Sequence, residues 1–139
     1  MLTTASTADR LRVCVGRLAR KLRQQSLGGL TPSQASVLST LDRHGTMPMS
    51  HLARHEGISK PSATGIVGRL VEKGYVSRRS DRDDKRSFMV EITADGRELI
   101  EQRRRERTAF IARHIDHLDE ADRQLLEQAI VLLENMVDH

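Results

Sequence analysis

Aromatic residues are nearly missing from this chain of 139 residues, which has one tyrosine (Tyr75), two phenylalanines (Phe88 and Phe110) and no tryptophan. That excludes the base-stacking platform of proteins that bind single-stranded RNA or DNA. It also leaves a core of Leu, Ile, Val and Ala, which suits packed helices. Cysteine is as scarce: Cys14 stands alone, so no internal disulfide can form and nothing points to an oxidising compartment. No apolar run approaches the ~20 residues of a membrane span, and the opening residues lack the apolar stretch of a secretory signal. The expectation is a soluble, cytoplasmic protein with no membrane partner. A phosphate-cradling glycine loop, a His-Glu-x-x-His pair and a nucleophile elbow are absent too. The chain therefore reads as a non-enzyme, with no catalytic residue and no cofactor.

Charge is what the chain has in quantity. Charged residues make up 30% of it and the net charge is +4, but the distribution is uneven. Residues 1–50 carry 7 basic and 2 acidic groups, residues 51–92 carry 9 and 6, and residues 93–139 carry 7 and 11. A basic front and an acidic tail fit a polyanion gripped by one part of the molecule only. The length is that of one domain, large enough to bury a core without metal or disulfide staples.

Local signals divide the chain into helices with a short hairpin between them. Residues 8–25 place Leu11, Cys14 or Val15, Leu18 and Leu22 at helical spacing, and Gly28 and Gly29 stop that helix. Thr31-Pro32-Ser33-Gln34 then opens another, with a capping threonine, a first-turn proline and the glutamine of a capping box; Gly45 closes it. Ser50 is expected to cap a helix over 51–56 that ends at Gly57, and Ser59 one over 60–73 that ends at Gly74. Strands are predicted at 75–79 and 87–92, where Phe88, Val90 and Ile92 alternate with Met89 and Glu91. From Thr93 a long helix is expected to reach about Leu118. Its ends are apolar, but residues 101–108 hold nothing to bury, and the Arg103–Arg105 run reads as a solvated face bridging two packed regions. A last helix follows Asp119. Its apolar residues, Leu125 to Val137, cover more than half the circumference, more than one monomeric layer can bury.

The helix–glycine turn–helix at 51–73 is the sharpest feature. In its second helix Ala63, Ile66, Val67 and Leu70 face the core. The opposite arc holds Pro61, Ser62, Gly65, Gly68 and Arg69, with Thr64 at its border. Small residues, hydroxyls and one arginine are what a helix entering a major groove presents. A plain helical hairpin with tolerated glycines is the competing reading. The next segment weighs against it: Asp81, Arg82, Asp83, Asp84, Lys85 and Arg86 form a charged hairpin tip, as in a wing that reaches a minor groove. Arg86 is the best candidate to make that contact.

The run from Ser59 to Gly96 resembles the core of the multiple-antibiotic-resistance regulator (MarR) family of bacterial transcription factors. The matching residues are Ser59-Lys60-Pro61, Arg69-Leu70, Lys73-Gly74, the Asp84-Lys85-Arg86 wing and Thr93-x-x-Gly96. The resemblance implies a mainly α winged helix-turn-helix with one β-hairpin, in which residues 31–92 bind DNA. It also implies that residues 8–27 and 93–139 interleave between two subunits. Ser59, Lys60, Pro61, Ser62, Thr64, Gly65 and Arg69 then form the recognition surface, with Arg82, Asp84, Lys85 and Arg86 in the wing. Gly65 and Gly68 depart from the larger side chains of many relatives, so no target sequence follows. The implied partners are double-stranded DNA, a second copy of the chain and a small-molecule effector, of which phenolic or aromatic acids are the family's commonest. The expected function is a homodimeric repressor of an inverted-repeat operator, released by that effector at a joint around His44, Met47, Met49 and Phe88. Three alternatives stay open: a helical protein-interaction module without a DNA target, and a redox- or metal-responsive regulator of the same fold. Cys14, on the apolar stripe, is expected to be a buried structural thiol. The pairs His51/His55 and His114/His117 have tolerable zinc spacing, but no cysteine or carboxylate joins them, so no metal is expected.

Overall fold

A computed structural model describes residues 1–25, 29–80, 83 and 88–139. It contains α1 (Thr4–Gln25), α2 (Pro32–His44), β1 (Met47–Pro48), α3 (Met49–Glu56), α4 (Lys60–Glu72), β2 (Val76–Ser80), β3 (Phe88–Ile92), α5 (Ala94–Ile115) and α6 (Glu120–Val137). The helix starts follow local chemistry. Thr31 Oγ1 accepts from Gln34 N and Gln34 Oε1 accepts from Thr31 N, both at 3.2 Å, so the two side chains satisfy two otherwise orphaned donors of α2. Ser59, Thr93 and Asp119 cap α4, α5 and α6 in the same way, accepting from Ser62 N, Gly96 N and Asp122 N.

One expected start is corrected. Ser50 does not cap α3; the helix begins at Met49, with Pro48 as the preceding residue and no side-chain cap. Met47 and Pro48 pair instead with Val90 and Met89, which makes β1 the third strand of an antiparallel sheet of order β1-β3-β2. A two-residue strand has no periodicity to read. The hairpin strand begins at Val76 rather than residue 75, because Tyr75 N still bonds back to Leu70 O in the turn after α4. The bridging helix stops at Ile115 rather than Leu118.

The core lies among α2, α3, α4 and the sheet, where Leu38, Leu41, Met49, Leu52, Leu70 and Val90 are fully buried. Ile100 carries it onto α5. No residue of α1 or α6 is buried. On α6, Leu125, Leu132 and Met136 are each more than 60% exposed. Cys14 is exposed as well, against the expectation of a buried thiol, because no described residue packs over this part of the α1 stripe closely enough to bury it. Arg103 is the reverse case. Instead of belonging to a solvated face, it is 5% exposed, since α1 and α2 close over that side of α5.

Candidate nucleic-acid interface

The surface of α4 follows from its packing. Ala63, Val67 and Leu70 are buried and Ile66 packs partly against the core, which turns Lys60, Pro61, Ser62, Thr64, Gly65 and Arg69 outward. Gly57, at φ 66°, supplies the left-handed turn that lets α3 end and α4 start three residues later. Ser59 lies at the rim of that surface, where its hydroxyl caps the helix and also reaches Ser62 Oγ at 2.9 Å. Thr64 donates to Lys60 O at 2.9 Å, which leaves its lone pairs facing outward as acceptors.

Gly65 and Gly68 need a separate account. A Cβ built on either meets nothing within 4 Å, and neither has a positive φ. Nothing inside the fold requires glycine there, yet each costs roughly 1 kcal/mol of helix stability relative to alanine. Arg69 completes the arc as an exposed cation with no ion pair among the described residues.

The wing is seen at its root. β2 and β3 pair from Val76↔Ile92 to Ser80↔Phe88, and the tip residues Arg82, Asp84, Lys85 and Arg86 lie outside the described residues. Two basic residues that the sequence reading passed over stand on this strand: Arg78 and Arg79 are both exposed, beside the outward face of α4's unit. Their signal was hidden because a wing strand is solvated on both faces and shows no alternation. The same geometry corrects the reading of Phe88. Val90 and Ile92 point inward, but Phe88 is 44% exposed, with the Arg78 guanidinium 5.9 Å from its ring centroid.

The four residues expected at an effector joint have different surroundings among the described residues. Met47 and Met49 are core residues, Phe88 is on the wing, and His44 is exposed with its ring 4.6 Å from that of His55. Open space between the winged unit and the long helices lies elsewhere, as a cavity of about 460 Å³ between α1, α2 and α5 and another of about 410 Å³ between α2 and α5.

Comparison with known proteins gives concordant results. The family model described as MarR family matches residues 30–88. An HTH-type transcriptional regulator from Mycobacterium tuberculosis is 33% identical over 135 residues, covering 96% of this chain and 94% of that protein. Among solved structures, a transcriptional regulator from Thermotoga maritima superposes with a TM-score of 0.82 at 23% identity, over 94% of this chain and 95% of the other. A variant of the regulator MepR from S. aureus, bound to an oligodeoxyribonucleotide, has a TM-score of 0.74 at 18% identity and covers 99% of both chains.

Proposed function

The chain belongs to the MarR family of DNA-binding transcriptional regulators, and from that premise we propose that it is a homodimeric repressor that grips an inverted-repeat operator. The observation that carries this reading is the outward arc of α4, where exposed Gly65 and half-buried Gly68 stand beside hydroxyls and an arginine with no ion pair among the described residues. Ser59, Lys60, Pro61, Ser62, Thr64, Gly65 and Arg69 enter the major groove in this reading. The wing residues Arg82, Asp84, Lys85 and Arg86, outside the described residues, belong to the same proposed interface through the adjacent backbone or minor groove. A chain of the same fold is bound to an oligodeoxyribonucleotide, which supports a nucleic-acid partner for this one.

Dimerisation is supported by what α1 and α6 leave uncovered. Their apolar faces are largely uncovered among the described residues, and a second copy related by a two-fold axis covers both. Residues 31–92 then act as the DNA-binding part of a single domain, with 8–27 and 93–139 as the dimer helices. Two recognition helices set about one DNA turn (~34 Å) apart read the two half-sites. A small molecule bound between the winged unit and α5 alters that spacing and releases the operator.

The test is footprinting on DNA flanking the gene, followed by a salt titration of affinity for the protected duplex. A protected inverted repeat and a steep linear fall of log affinity with log salt are expected. Equal affinity for random duplex, or no dependence on salt, would overturn the assignment.

A further inference from the structure

Lys73 closes α4 as its C-cap residue, and its ammonium group reaches across the fold to the turn before α2. Nζ donates to Gly29 O at 3.0 Å and to Gln34 Oε1 at 3.3 Å, partners 44 and 39 residues away in the chain. Gln34 is 5% exposed, and the same Oε1 accepts from Thr31 N at 3.2 Å in the capping box of α2. One amide oxygen thus serves the start of α2 and the end of α4 together. A cation is also favoured there by the C-terminal end of the α4 dipole.

Among the described residues, the bond from Lys73 Nζ to Gly29 O is the one hydrogen bond that joins residues 1–30 to the rest of the chain. No ion pair among them crosses the same boundary. α1 leans on α5 but buries none of its residues there, and the chain enters the core only at Leu30, which is 4% exposed. The direction in which α1 leaves the winged unit is therefore held at its turn, by a donor that belongs to the last residue of α4. Both bonds carry the ammonium charge onto neutral oxygens, which makes them stronger than bonds between neutral groups.

We propose that Lys73 is a positioning residue for operator recognition: it locks the angle between α1 and α4, and through it the distance between the two recognition helices of the dimer. The effect on DNA rests on the homodimer reading above, whereas the lock itself does not. In that reading α1 helps to build the dimer, so a freed turn lets each winged unit swing about the dimer body. Half-site spacing is the property that such a swing degrades. In this role Lys73 meets no phosphate. Loss of a phosphate contact weakens every duplex alike and flattens the salt dependence, whereas loss of the lock weakens the correctly spaced operator most.

Two measurements test this. In the DNA-free, full-length chain carrying Cys14→Ser, spin labels on Arg12→Cys and Lys60→Cys, both exposed positions, report the distance from α1 to α4. Labelled chain diluted with unlabelled chain keeps the distance within one subunit. A single narrow distance is expected, with a distribution about twice as broad after Lys73→Met and no change in sedimentation. Operator binding is then measured on the footprinted duplex and on two versions with the half-sites one base pair closer or further apart. The parent should prefer the native spacing about tenfold, and Lys73→Met should lose most of that preference while keeping the same salt slope. Lys73→Arg, which keeps a cation and its donors, should restore it. An unchanged distance distribution would overturn the lock, and a broadened one with the spacing preference intact would overturn its role in recognition. Equal weakening of all three duplexes with a shallower salt slope would make Lys73 a phosphate contact instead. If Lys73→Met does not fold, Gln34→Glu decides: it keeps the capping box and gives Lys73 a charged acceptor, so the spacing preference should rise, and no rise refutes the proposal. A parent chain that protects no inverted repeat refutes the earlier function, and the label distances still decide the lock.

Discussion

Gly96, in the first turn of α5, lies so close to Tyr75 that a Cβ on it would stand 2.3 Å from the Tyr75 carbonyl oxygen and 2.7 Å from Ile92 Cγ1. The same carbonyl accepts from Thr93 N at 3.0 Å, and Thr93 Oγ1 donates to Gly74 O at 2.7 Å. These contacts clamp the start of the long helix to the root of the wing. A movement of α5 at this joint is therefore expected to reach the root of the hairpin. Gly96→Ala must push backbone apart, so it is expected to destabilise the fold by about 1–3 kcal/mol, the usual cost of overpacking. Chemical denaturation measures this, and an unchanged midpoint would show that the joint yields freely.

Gly65→Ala and Gly68→Ala should behave in the opposite way. Space for the added methyl exists at both, so each variant should gain roughly 0.5–1 kcal/mol of stability from helix propensity. If α4 lies in a groove, operator affinity should fall in the same variants. Higher stability with unaltered DNA binding would mean that this arc does not meet DNA.

Removing a cation from the interface should lower affinity without touching the fold. Arg69→Ala and Arg86→Ala are each expected to weaken operator binding by about 1–3 kcal/mol. A contact to phosphate lowers affinity for all sequences and flattens the salt dependence, whereas a contact to a base relaxes specificity at one position. Titrations at several salt concentrations distinguish these outcomes, and tight binding by both variants would remove the two residues from the interface.

Leu125→Asp and Leu132→Asp place a carboxylate in the uncovered face of α6, at positions 66% and 63% exposed in the single chain. The core among α2, α3, α4 and the sheet should survive, since no α6 residue is buried in it. Sedimentation should show monomers where the parent chain is dimeric, with loss of cooperative operator binding. A parent chain that sediments as a monomer would refute the two-fold arrangement at once.

Much of the fold was legible because its signals are local. Thr31 with Gln34, Ser59 with Ser62, Thr93 with Gly96 and Asp119 with Asp122 act over three residues, so their chemistry is complete in a short stretch of chain. The outward arc of α4 was legible for a related reason: Ala63, Val67 and Leu70 recur at helical spacing and claim the inner face. Such residues specify elements and orientation before any distant contact forms.

Residues whose environment depends on a remote element were misread. Arg103 sits in a run of charges that reads as solvated, yet α1 and α2 close over it. Cys14 belongs to an apolar stripe that reads as buried, yet it stands exposed because nothing among the described residues closes over it. Phe88 keeps the alternation of an inward-facing strand residue but stands beyond the edge of the core, and Met47–Pro48 became a strand only because β3 lay beside them. The sequence by itself determined where helices begin and end and which side of α4 faces away from the core. Only the tertiary structure decided which charges lose their water, because desolvation is set by what packs against a side chain and not by its neighbours along the chain.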